Sequence, residues 1–247
     1  MTVWANASPT DPAGVTSPRM SESWWRERFL EKQIELHRQP VRLVFLGDSI
    51  LHSFEWDPQA PVWTHWYDGR GAVDLGFNGD VTADVIWRVR HGELDRLSPK
   101  LAVILIGTNE LGRPPAEIAG GINDLAQALR ERSASTKILV LGILPSGRPE
   151  NEQKVGREVN ARLSALYSRQ GAIASYRDLS CVFFHRGRFN TELFREPFSG
   201  QTYPLHPTPR GMDLIAASIE PMIAATLGDQ ERTTSGGMEA TECLAGR

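Results

Sequence analysis

The chain of 247 residues is poor in cysteine, in lysine and in long apolar runs, and each scarcity removes a class of explanation. Its two cysteines, Cys181 and Cys243, lie far apart, so they supply neither a disulfide framework nor the close spacing of a zinc site. No stretch of about 18 apolar residues occurs, which speaks against a membrane-spanning helix. The opening MTVWANASPTDPAGVTSPRM lacks the apolar core of a signal peptide, so a cytoplasmic location is expected. The net charge is -3, so there is no basic excess to hold nucleic acid. The phosphate loop Gly-x-x-x-x-Gly-Lys is absent. Of 27 basic residues only Lys32, Lys100, Lys137 and Lys154 are lysines, an arginine bias of the kind that GC-rich bacterial coding produces.

What remains is an ordinary globular composition, 40% hydrophobic and 23% charged, in a chain long enough to bury a sizeable core. Residues 1–20, rich in Pro, Ser, Thr and Ala without periodicity, read as a flexible leader. Residues 229–247 read as a disordered tail, leaving one domain over 21–228. Within it the periodicity alternates. ESWWRERFLEKQIELHR has helical spacing; VRLVFLG, AVDLGF, LAVILIG, KILVLGIL and AIASYRDL read as strands. TADVIWRVRHGEL, PAEIAGGINDLAQALRER, ENEQKVGREVNARLSALYSRQ and RGMDLIAASIEPMIAATLG read as the helices between and after them. Strand-helix alternation of this kind predicts an α/β fold, a parallel sheet with helices on both faces. Ligands of such sheets bind outside the carboxyl ends of the strands.

Those ends carry chemistry. The first strand runs into Gly47-Asp48-Ser49, the second into GFNGD with Gly79, the third into GTNE with Asn109, and YPLHPTP places His206 ahead of the last helix. A serine nucleophile needs a base, usually histidine. Its tetrahedral intermediate needs donors aimed at the developing oxyanion, which a backbone N–H at a glycine and an asparagine amide can supply. Each residue also has a plain structural reading. Ser49 could cap a helix, Gly79 could serve a turn, Asn109 could satisfy loop backbone, and His206 could be a surface residue stiffened by its prolines. Four such residues in order at four loop positions favour an acyl-transfer site.

FLGDS, GFNGD, GTN and LHPT resemble the four sequence blocks of the SGNH, or GDSL, hydrolase family. VIWRVRHGELDRLSPKLAVILIGTNE, AEIAGGI and ILVLGILPSGRP are similar to its branch of platelet-activating-factor acetylhydrolase alpha subunits and their bacterial relatives, over roughly residues 24–227. The resemblance implies a three-layer α/β/α sandwich with a five-stranded parallel sheet, the flavodoxin-like arrangement of that family. It implies Ser49 as nucleophile, His206 as base, and an oxyanion hole of Ser49 N–H, Gly79 N–H and the Asn109 side chain. It implies a small acyl ester as substrate, no metal or organic cofactor, and a homodimer by analogy.

One position departs from the family pattern, which has an aspartate three residues before the histidine; here that residue is Tyr203. A Ser-His dyad, a substitute carboxylate (Glu192, Glu196 or Asp178), and a site degraded to binding stand side by side as readings, and an acyltransferase is a close variant of the esterase. Asp48 is expected to fix the turn at the nucleophile. The tryptophans of the first hundred residues read as core, with FEWDPQAPVWTHWYDGRG as a candidate wall for the acyl pocket. His52 and His65 have no assigned role, and Glu110 and Arg113 could meet a substrate or pair with each other.

Overall fold

A computed structural model describes residues 19–56, 58–185, 187–197 and 202–234. The apolar runs form five parallel strands, β1 (Leu43–Gly47), β2 (Ala72–Gly76), β3 (Leu101–Leu105), β4 (Lys137–Leu141) and β5 (Ser175–Arg177). Their order across the sheet is β2-β1-β3-β4-β5. The chain therefore steps from β1 to β2 on one side and then to β3 on the other. That reversal opens a crevice at the carboxyl ends of β1 and β3, the place where such sheets bind ligands.

Side chains alternate across each strand, which explains why the core is double. Val44, Leu46, Ala102, Ile104, Ile138 and Val140 point into one apolar layer, covered by α4 (Thr82–Arg90), α5 (Pro115–Arg132) and α6 (Glu150–Tyr167). Leu43, Phe45, Val103, Leu105, Leu139 and Leu141 point into the other, covered by α3 (Ala60–Tyr67) and α7 (Pro209–Leu227). Each fully buried Leu, Val or Phe contributes about 1.5–3 kcal/mol against conformational entropy. The expected three-layer α/β/α sandwich is the observed one. Helix α1 (Ser23–Leu36) lies beside β2, with Trp25 and Phe29 packed on Phe77 in a small cluster of their own.

Several short elements escaped the sequence reading. α2 (Ser49–His52) is too short for periodicity to show, and α3 lay inside what read as a long connection. A two-residue hairpin pairs β6 (Phe184–His185) with β7 (Arg188–Phe189). Cys181 is disulfide-bonded, a single link and not a framework of several. Residues 229–233, just beyond α7, stay on the body. Arg70 pairs with Glu220 through two bonds of 2.6 and 2.7 Å and donates to Gln230 O, and Arg42 donates to Asp229. Of the expected leader and tail, residues 1–18 and 235–247 lie outside the described residues. Among those described, no helix is long and apolar enough to cross a membrane.

Candidate active site

Ser49 opens α2 immediately beyond β1. The turn is tight because Gly47 lies against the neighbouring strand: a Cβ there would stand 2.0 Å from Leu105 O. Asp48 caps the helix, its Oδ1 accepting from Ile50 N at 2.9 Å. Burial pushes the Asp48 carboxyl up to about 7. As the first helical residue, Ser49 has a backbone N–H with no partner inside the helix.

His206 reaches the site from the far end of the chain, and its loop is fastened on three sides. Arg195 N donates to His206 O at 2.8 Å, and Phe194 bridges Pro207. Gly147 N, just beyond β4, donates to Pro204 O at 2.7 Å, and Gln59 Nε2 donates to Pro207 O at 3.3 Å. Thr208 then caps α7, accepting from Gly211 N. These ties bring His206 Nε2 within 2.9 Å of Ser49 Oγ, 157 residues away in sequence. Both residues are buried, Ser49 at 8% exposure and His206 at 3%. A neutral imidazole in this position accepts the hydroxyl proton at Nε2.

Burial pushes the His206 pKa down to about 4, and the charges of Arg195 and Arg148 act in the same direction. The family's aspartate would act in the opposite sense, by favouring the imidazolium. Tyr203, which holds that position, lies under the Arg148 guanidinium, 5.0 Å from ring centroid to Cζ. Arg148 is also paired with Glu152 at 2.7 Å. Of the carboxylates considered as substitutes, Asp178 accepts from Ser180 N, while Glu192 and Glu196 are exposed.

Gly79 and Asn109, beyond the ends of β2 and β3, are both exposed. Gly79 has φ +74°, a conformation glycine adopts without strain, in the turn closed by Asp80 N to Phe77 O at 3.1 Å. Asn109 follows Gly107, and its Nδ2 donates to Asp80 O at 2.9 Å. One amide hydrogen is thereby engaged and the other is left for a ligand. Ser49, Gly79 and Asn109 thus follow three adjacent strands, β1, β2 and β3, and His206 joins Ser49 from the approach to α7.

Other expectations resolve into structure. Glu110 accepts from Thr82 N and from Arg113 at 2.9 Å each, so the two charged residues after Asn109 pair with each other. His65 is bonded to Thr233 O. Burial pushes the His52 pKa down to about 4, and its ring lies 5.6 Å from Trp56. Trp56 in turn packs 5.9 Å from the His206 ring, so part of the aromatic connection does wall the site. Trp25 and Trp66 are core residues. A small apolar cleft of about 70 Å³ opens beside the end of β4, lined by Leu111, Ile143, Leu144, Pro145 and Phe184 among others. Among the described residues no cluster of His, Cys, Asp and Glu could hold a metal ion. Arg19, Arg148 and Arg195 went unnoticed in the sequence because nothing in their neighbours' spacing marks them.

Comparison with known proteins agrees with the fold. The profile of the GDSL-like Lipase/Acylhydrolase family matches residues 45–214. Platelet-activating factor acetylhydrolase IB subunit alpha1 from Bos taurus is 35% identical over 124 residues, 50% of this chain. The match spans about half of that relative's length, 51%. A GDSL-like lipase from Bacteroides thetaiotaomicron superposes with a TM-score of 0.64 at 21% identity, covering 81% of this chain and 97% of that one. A carbohydrate esterase family 3 protein from Talaromyces cellulolyticus does so with 0.54 at 18% identity, covering 77% and 100%. These two share the fold. The family profile, which spans more than half of the chain, settles the assignment: the chain belongs to the GDSL-like lipase/acylhydrolase family.

Proposed function

We propose that this chain is a serine esterase that hydrolyses short-chain, chiefly acetyl, esters through an acyl-enzyme at Ser49. The observation that carries the reading is the buried 2.9 Å contact between Ser49 Oγ and His206 Nε2. His206 takes the hydroxyl proton as Oγ attacks the ester carbonyl. Ser49 N–H, Gly79 N–H and Asn109 Nδ2 stabilise the oxyanion. The intermediate collapses, the C–O bond to the alcohol breaks, and His206 returns the proton to the leaving oxygen. Water, deprotonated by the same imidazole, then releases the acid and restores Ser49. With a pKa near 4 the imidazole is in its basic form at neutral pH. The relatives named acetylhydrolase and the neighbour named carbohydrate esterase support ester chemistry without fixing the alcohol.

The test is hydrolysis of p-nitrophenyl acetate, butyrate and octanoate by wild type and Ser49→Ala, with mass analysis after an organophosphonate. The expected result is activity that falls with chain length and vanishes in the variant, with one phosphonyl adduct at Ser49. Wild-type rates at buffer background with no adduct would sink the proposal.

Tyr203 favours a second reading. Stacked on Arg148, it offers His206 no carboxylate, so the same fold could bind an ester without cleaving it, or pass the acyl group to an acceptor other than water. Ligand binding unchanged by Ser49→Ala, with no turnover, would favour the binding protein; an adduct that discharges only to an added alcohol or amine would favour transfer.

A further inference from the structure

The Gly79 N–H and the Asn78 carbonyl are opposite ends of one peptide unit, and a planar trans peptide points them in opposite directions. Whatever holds Asn78 O therefore aims Gly79 N–H. That partner is Arg19: its Nη1 donates to Asn78 O at 2.7 Å and to Asp80 Oδ1 at 3.0 Å, so it straddles Gly79. The guanidinium also lies close against the glycine: a Cβ at Gly79 would stand 3.3 Å from Nη1 and 3.5 Å from Nη2. Arg19 is itself held from behind. Its Nε and Nη2 donate to the two carboxylate oxygens of Glu22 at 2.9 and 3.0 Å, and its Cζ lies 5.1 Å from the centre of the Trp24 ring.

The loop is fixed at its other end through Asp80, which is fully buried. Its Oδ1 also accepts from Trp25 Nε1 at 2.8 Å, and its Oδ2 accepts from Arg88 Nε at 3.2 Å. Its carbonyl takes the bond from Asn109 Nδ2. Two of the three donors in the proposed oxyanion hole thus depend on a loop held by Arg19 ahead of α1, by Trp25 of α1 and by Arg88 of α4. A glycine at positive φ has no side chain to resist a peptide flip, so the restraint has to come from outside the loop. A cation on the carbonyl end of a peptide also polarises its N–H, making it a stronger donor.

We infer that Arg19, which lies ahead of the segment matched by the family profile, is a positioning residue that orients the Asn78–Gly79 peptide toward the reacting carbonyl. The inference rests on the acyl-transfer reading proposed above.

Arg19→Ala and Arg19→Lys are compared with wild type in the full chain, using p-nitrophenyl acetate turnover, phosphonylation of Ser49 and thermal melting. Misplacing a catalytic group by about 1 Å can cost on the order of 100-fold, and a loosened peptide is expected to cost about tenfold. The expected result for Arg19→Ala is a kcat and a phosphonylation rate about tenfold lower, with KM changed by less than about twofold. Arg19→Lys, which can still reach Asn78 O, recovers part of that loss. Guanidinium ion at low millimolar concentration, far below denaturing levels, raises the rate of Arg19→Ala and leaves wild type unchanged. An Arg19→Ala enzyme with wild-type kcat overturns the inference. So does a loss that merely follows the folded fraction and is not rescued by guanidinium or lysine. A wild type that neither hydrolyses esters nor takes the phosphonate removes the acyl-transfer reading and this inference with it, an outcome distinct from an active wild type with an indifferent Arg19.

Discussion

The guanidinium of Arg148 lies 5.0 Å from the centre of the Tyr203 ring, so the residue three before His206, an aspartate in the family pattern, is here an aromatic ring paired with a cation. Both Arg148 and Arg195 disfavour the imidazolium, in the same direction as burial. The acid limb of kcat/KM reports the pKa of the free enzyme's base, and it is expected near pH 4. Arg148→Gln removes one cation, makes protonation of His206 easier and moves that limb to higher pH. Tyr203→Asp moves it the same way and, by stabilising the imidazolium, raises kcat by about tenfold or more. A limb that stays put in both variants would show that another group governs the titration.

Stability offers an independent reading of the same residue. The unfolded imidazole takes up its proton near 6.5 and the folded one near 4, so between these values the unfolded chain binds more protons. The His206 contribution is therefore complete above pH 6.5 and is lost as pH falls toward 4. Burial pushes the carboxyls of Asp48 and Asp74 up, to about 7 and about 8, and these contributions slope the opposite way. Comparing urea unfolding of wild type with His206→Gln cancels them. The variant is expected to gain on wild type between pH 7 and pH 4.5, and a constant difference would contradict a depressed His206 pKa.

Gly79→Ala tests the loop from within. An L-residue at φ +74° costs about 1–2 kcal/mol, and its methyl would force the Arg19 guanidinium, 3.3 Å away, to shift. Loss of an oxyanion donor costs about 10²–10³ in kcat, and a displaced Gly79 N–H should lose a large part of that. Turnover measured beside denaturant unfolding checks both figures; a stable variant with full activity would place the oxyanion elsewhere.

Trp56 packs 5.9 Å from the His206 ring and bounds the site on the α2 side. Trp56→Ala opens space there, so the preference for acetate over butyrate and octanoate esters is expected to shrink. Ratios of kcat/KM across the three esters measure it. Unchanged ratios would put the acyl chain against another wall, for which the apolar cleft beside β4 is the next candidate.

The sequence by itself determined the layered architecture and nominated the residues of the proposed site. Short continuous apolar strands and period-3.6 helices in alternation leave little topology except a parallel sheet between helices, and glycine, serine, asparagine and histidine stand out at its loops because those positions need backbone freedom or reactive groups. Even the end of the third strand was legible, since LAVILIG must be buried on both faces. Only the tertiary structure decided how those residues are held. The 2.9 Å contact of Ser49 with His206 depends on ties from Gly147, Gln59 and Arg195, which come from three different stretches of chain. The cation beside Tyr203 and the arginine behind Gly79 reach their places through long flexible side chains, whose targets no local periodicity encodes. Local pattern reports what a residue's own neighbours require of it; hydrogen bonds and charges between distant segments exist only once the chain has closed on itself.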